Sequence, residues 1–267
     1  MKATSLDYAR AGSLAEAAAL LAEGGDGARP LSGGQSLGPM LNLRLASPRL
    51  LVDLRHIPEL RGIEETAEAL TIGAAITHAA IEDRRVPDIG HDVLPRVAGG
   101  IAYRAVRNRG TIGGGLAHAD PAADWVSALT ALDATVLTYA AAGTRAMPIG
   151  AFILGAFHTS LLPGEFIQAI RIPRLSPAAR WGWYKVCRKP GEFAASIGAI
   201  LHDPPRGVYR AVMGATGGRP VLLTGGGPLD APLDAGKALA AEASELDAID
   251  RHIHTVALKR ALAMIQP

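Results

Sequence analysis

The chain has 267 residues, 49% of them apolar, and a formal charge of +2 from 27 basic and 25 acidic side chains. That much apolar sequence supports one large or two ordinary packed domains and excludes a disordered chain, while the balanced charge, without a basic run, excludes the usual nucleic-acid binder. The single cysteine, Cys187, permits no internal disulfide, cysteine-based zinc site or iron–sulfur cluster within this chain and fits a reducing, cytoplasmic setting; neither a signal core at Met1–Asp7 nor an apolar run of about 20 residues is present, so no membrane span is expected.

In chain order, Ser13-Leu14-Ala15-Glu16 is a capping box that opens a helix ending near Gly24-Gly25. Arg29-Pro30-Leu31 then leads into a glycine turn, Ser32-Gly33-Gly34-Gln35-Ser36-Leu37-Gly38, which taken alone reads as a strand-to-helix loop. Its spacing is not Gly-x-Gly-x-x-Gly, and no Gly-x-x-x-x-Gly-Lys-Ser/Thr occurs, so Rossmann and P-loop folds are excluded. Strands are expected at Leu50–Leu54 and Ala69–Ala74, a helix capped by Thr77 runs to Arg84, and Val93–Ala105 reads as a helix weakened at Gly99-Gly100.

The stretch from Asn108 to Asp124 is the most distinctive. Gly113-Gly114-Gly115 leaves backbone N–H groups uncovered by side chains, in what reads as a loop that an anion can approach. Asp120 as cap and Pro121 at the first position then predict a helix over Ala122–Leu132. Aligned amides and a positive helix end favour a phosphorylated cofactor without a lysine. Three strands follow, Ala134–Ala140, Thr144–Ile149 and Glu165–Ile172, and Pro173 with Ser176-Pro177 marks a domain boundary near 175. Beyond it, strands at Trp181–Arg188, Ser196–His202 and Tyr209–Ala215 and a closing helix at Ala248–Met264 predict a smaller α+β unit, residues 176–267.

Taken jointly, the two glycine stretches resemble the FAD-binding medium subunit of the molybdenum hydroxylases, the carbon monoxide dehydrogenase and xanthine dehydrogenase group. The resemblance rests on Arg29–Leu37 with Leu43-Arg44-Leu45, on Arg107–Gly115 through Asp124, and more loosely on Tyr184-Lys185 and Arg188–Ala194. It implies an α+β fold in which a two-part FAD-binding domain of the PCMH type, about 1–55 and 56–175, precedes the C-terminal domain.

Under that resemblance, Ser32, Gly33, Gly34, Gln35 and Ser36 wrap the FAD pyrophosphate with Leu31 and Leu37 flanking it, and Thr111, Ile112, Gly113, Gly114 and Gly115 pack against the cofactor from the other side. Ala102 lies near the dinucleotide, His118 near the phosphate or ribityl region, Asp124 accepts from a ribityl hydroxyl, Leu162 meets the ring edge, and Lys185 brings a cation to the flavin. Gly115 stands where many relatives carry Asn. The resemblance also implies an oxidoreductase subunit of a heterotrimer, itself dimerising: a small chain with [2Fe–2S] clusters feeds electrons to FAD here, a large chain holds molybdopterin, and an external acceptor takes the electrons. No catalytic acid or base and no metal ligand is expected on this chain.

Other readings stand beside it. A stand-alone flavin oxidase or reductase would need acid–base residues that the sequence does not reveal, and a regulatory nucleotide-binding module would use the same loops. His118 alone reads as a structural histidine, and Asp124 as an acid stabilised in a first helical turn. Arg104, Arg107 and Arg109 form either a solvated face or a subunit contact; His252 and His254 diverge on a helix rather than pairing on a metal; Cys187 reads as a small buried hydrophobe.

Overall fold

The structure, a computed structural model, describes residues 2–224 and 235–266. The chain begins with β1 (Asp7–Arg10), α1 (Leu14–Gly24), β2 (Ala28–Leu31), α2 (Leu37–Asn42) and β3 (Leu50–Asp53). Ser13 Oγ accepts the Glu16 amide at 3.1 Å, and Glu16 returns to the amide of Gly12 at 2.7 Å, so the capping box operates one residue wider than its pattern suggests. β1, β3 and β2 form a parallel sheet in that order. All three strands therefore end on one side, and the glycine turn leaves from the C-terminal end of β2, the edge from which parallel sheets present loops to ligands.

Next come β4 (Ile63–Glu65), β5 (Ala69–Gly73), α3 (His78–Glu82), α4 (Val93–Gly99), α5 (Arg104–Arg107), α6 (Ile112–His118), α7 (Asp124–Ala131), β6 (Thr135–Ala140), β7 (Gly143–Pro148), α8 (Ile149–Phe152), β8 (Ile153–Gly155), β9 (His158–Thr159) and β10 (Phe166–Pro173). β4-β5-β10-β6-β7 is an antiparallel sheet, and β8-β9 a small hairpin. The last section is a meander of β11 (Arg180–Val186), β12 (Ser196–Asp203), β13 (Val208–Gly214) and β14 (Val221–Thr224), with α9 (Ala235–Glu242) and α10 (Ala248–Ala263). No helix among the described residues is long and apolar enough to cross a membrane.

Three expectations are corrected. Asn108–Asp124 is not a glycine loop before one helix but contains a helix of its own, α6, because Thr111 is extended and its Oγ1 accepts the Gly114 amide at 3.1 Å. The next helix starts at Asp124 rather than Ala122: Ala119 turns left-handed (φ 50°) to end α6, and Asp120 accepts the Ala122 amide at 2.9 Å in a link between the two helices. The helix expected over Val93–Ala105 stops at Gly99, and Ala102, at φ 44°, separates it from α5.

α7 is the hub, buried along its whole length. One core cluster joins it to residues of all three large sheets, including Val52, Ile72 and Val136 together with Trp181, Ala199 and Val212. On the far face of the meander, α10 crosses so closely that a Cβ on Gly182 would lie 2.1 Å from the Ala261 carbonyl oxygen and one on Gly198 2.5 Å from that of Ala257. Both obstacles are helix backbone, which cannot rotate aside. Gly182→Ala should therefore displace α10 and lower stability by about 1–3 kcal/mol, the range for overpacking a tight interface, read as a fall in thermal midpoint by circular dichroism.

Candidate functional site

The turn after β2 is held open by its own backbone. Gly34 sits at φ +71°, a conformation that glycine takes without a Cβ penalty, and the carbonyls of Gly34 and Ser36 are already spent on α2, accepting from Gly38 and Met40. The consecutive amides of Ser32 through Leu37, by contrast, donate to no acceptor among the described residues. An unbroken run of free N–H groups at the end of a parallel sheet is a cradle for an anion.

The second glycine stretch behaves differently. At the N-terminus of α6 the amide of Ile112 donates to Ile76 O, that of Gly113 to Ala74 O and that of Gly114 to the Thr111 hydroxyl, so this helix end is already occupied. Its glycines serve close approach instead. A Cβ on Gly113 would meet that of Ala74 at 2.4 Å, and one on Gly114 would meet Thr111 Oγ1 at 2.8 Å. The Gly33 backbone presses on the other stretch, with a Cβ there only 2.1 Å from the Arg109 carbonyl oxygen, and Ser32 Oγ lies 2.9 Å from Thr111 Oγ1. The two stretches are thus in direct contact. Gly115 has ordinary space around it, its nearest neighbours being Trp125 Cδ1 at 3.8 Å and His78 Cε1 at 4.0 Å, so the missing Asn side chain leaves no steric reason for glycine.

A third group lies at the start of α7. Asp124, at the start of α7, is buried; its Oδ2 accepts from Lys185 Nζ on β11 at 2.9 Å, and the same ammonium reaches Gly100 O at 3.2 Å. Oδ1 of Asp124 is buried and has no partner. Burial pushes this carboxyl above its usual range, and the Lys185 charge and hydrogen bond only partly counter it. Ala102 follows two residues after Gly100, its carbonyl and that of Ile101 held by Arg107, whose guanidinium is in turn paired with Glu82. Arg104 pairs with Asp83 and Glu82, whereas Arg109 is exposed, so the three arginines have separate roles.

His118 packs on Phe157 with ring centroids 5.2 Å apart. Leu162 is exposed in the loop after β9, where its amide donates to Glu165, and it makes no hydrogen bond to the glycine stretches. His254 is buried against Ser196 at 2.7 Å, away from His252 as expected, and Cys187 is half-buried rather than buried.

The structure thus holds an amide cradle at the end of a parallel sheet, a glycine helix in contact with it, and a buried carboxylate with one oxygen unpartnered. Residues 3–175 match the family described as FAD binding domain in molybdopterin dehydrogenase, and the chain belongs to it, as an FAD-binding oxidoreductase medium subunit of the molybdenum hydroxylases. It is 40% identical to the 6-hydroxypseudooxynicotine dehydrogenase complex subunit alpha of Paenarthrobacter nicotinovorans over 201 residues, 75% of this chain and 68% of that one. It is 35% identical to the carbon monoxide dehydrogenase medium chain of Afipia carboxidovorans over 258 residues, 97% and 86% of the two chains. In three dimensions it superposes on carbon monoxide dehydrogenase from Hydrogenophaga pseudoflava with a TM-score of 0.89 and 31% identity, over 99% of this chain and 98% of that one. Quinoline 2-oxidoreductase from Pseudomonas putida 86 gives a TM-score of 0.80 at 31% identity, with both chains covered in full.

Two residues that the sequence did not single out lie against this site, His78 and Trp125. The indole Nε1–H donates to His78 Nδ1 at 3.1 Å, which leaves the imidazole proton on Nε2. Burial, with a smaller contribution from the Arg107 charge, pushes the His78 pKa down to about 4. Above pH 6.5 the ring is neutral in folded and unfolded chains alike and adds nothing to the pH dependence. As the pH falls from 6.5 towards 4, the unfolded chain gains a proton that the folded chain refuses, and stability drops by up to about 3 kcal/mol. Denaturant midpoints measured across this window should show that fall, and His78→Gln should flatten it.

Proposed function

We propose that this chain carries FAD in the cleft between the Ser32–Leu37 turn and α6, as the electron-transfer subunit of a molybdenum-containing hydroxylase. The observation that carries the reading is the run of unpaired amides from Ser32 through Leu37. A dinucleotide brings two phosphates, and these amides can neutralise them in a stretch without a Lys or Arg side chain. Leu31 and Leu37 flank the cradle. Thr111, Ile112, Gly113, Gly114 and Gly115 form the facing wall through Cα surfaces and the threonine hydroxyl, since the first amides of α6 are occupied.

The unpartnered Oδ1 of Asp124 is a buried acceptor that a sugar-alcohol hydroxyl would satisfy. Lys185 holds that carboxylate in place and supplies positive charge near the flavin, partly neutralised by the same pair. Ala102, His118 and, at the ring edge, Leu162 are assigned to the remaining contacts. Bound FAD would supply redox exchange between the [2Fe–2S] clusters of a small partner subunit and an external acceptor. The large partner would hold molybdopterin and act on the substrate, in a cytoplasmic dimer of heterotrimers. The names of relatives support this: one is a subunit of a dehydrogenase complex and another a medium chain. Residues 1–175, as subdomains 1–55 and 56–175, form the FAD-binding unit in this reading, and 176–267 the C-terminal one.

The purified chain is expected to take up one equivalent of FAD, seen as flavin absorbance that co-elutes with protein. Gly34→Val places a β-branched residue at a positive φ and should unmake the turn, so flavin uptake should fall by about tenfold or more while the circular dichroism spectrum is retained. A Gly34→Val chain that retains full flavin content would remove the turn from the site.

A further inference from the structure

Outside the groups assigned above, His78 and Trp125 share a buried hydrogen bond next to the second glycine stretch. His78 is tied into the site at both backbone and ring. Thr77 caps α3 and bridges to Thr111, with the His78 amide donating to Gly110 O at 2.9 Å and the Ile112 amide to Ile76 O at 3.0 Å. The ring fills the space next to Gly110, where a Cβ would stand 2.9 Å from His78 Cδ2, and lies with Trp125 under Gly115. Trp125 follows Asp124 directly in α7, so one hydrogen bond, Trp125 Nε1–H to His78 Nδ1, joins the start of α3, whose backbone pairs with the stretch that enters α6, to the start of α7.

α6 needs such a fastening. Three of its seven residues are glycine, which weakens a helix on its own. Its first amides are held by carbonyls of the 74–76 segment, immediately before Thr77 and His78. We infer that His78 is a positioning residue for the cofactor cleft: its neutral imidazole, as acceptor for Trp125, fixes the separation of the Thr111 wall from the Asp124 carboxylate. This inference rests on the FAD reading above.

An imidazolium has no acceptor and would break the link. The charge that acts on the ring is Arg107 on α5, itself paired with Glu82 on α3. A second positive charge at His78 would face Arg107.

The test is FAD affinity of the full-length chain at pH 8, measured by quenching of flavin fluorescence. His78→Leu should weaken binding at least tenfold at pH 8, with an unchanged circular dichroism spectrum. His78→Gln, whose amide oxygen can accept from Trp125, should restore affinity to within about threefold of wild type. If His78→Leu fails to fold, Trp125→Phe removes the donor instead and should weaken binding similarly. Wild-type affinity in His78→Leu or in Trp125→Phe, or no rescue by Gln, would each overturn the inference. A wild-type chain that takes up no FAD would instead overturn the reading on which it rests.

Discussion

The contact on which the site depends is backbone against backbone, where Gly33 meets the Arg109–Gly110 peptide and Ser32 shares a hydrogen bond with Thr111. It joins the parallel sheet of the first section to the helical layer over the antiparallel sheet. A methyl group at Gly33 would collide with a carbonyl, so the two layers can come this close only through glycine. Everything functional on the open side inherits its position from that seam: the free amides on one bank, the capped α6 on the other.

Charge is used sparingly around the cleft. The cradle works with amide dipoles, and the charged pair nearby, Asp124 with Lys185, is internally balanced and mostly buried. An unpartnered oxygen on a buried carboxylate is costly, and in this fold it is tolerated where a ligand hydroxyl is expected. Arg107 is also turned to structure, tying the Ile101 and Ala102 carbonyls to Glu82 and so fixing the chain that passes beside Lys185.

Much of this was legible in the sequence, because local signals coincide with the tertiary arrangement. The Ser13 box, the Thr77 cap and the apolar strands Leu50–Leu54, Ala69–Ala74 and Ser196–His202 fell within a residue or two of the observed elements. Strands β1 and β4 are too exposed along their length to show a period. The Gly113–Gly115 run misled in one respect: a glycine triplet reads as loop by propensity, and only the Thr111 cap and the long-range bonds from Ala74 and Ile76 make it helical. Asp120-Pro121 imitated a helix start that the left-handed Ala119 moved downstream. His78 and Trp125 were invisible as a pair, because 47 residues separate them and neither belongs to a chemical motif.

The salt bridge between Asp124 and Lys185 links α7 to the first strand of the C-terminal meander. Any guest that reaches the spare oxygen of that carboxylate would therefore act on a side chain that both parts of the molecule share. If occupancy of that oxygen favours the seating of the meander, the seating favours occupancy by the same factor. The meander is in this sense one wall of the socket, and how firmly it is held becomes a determinant of how long the guest stays.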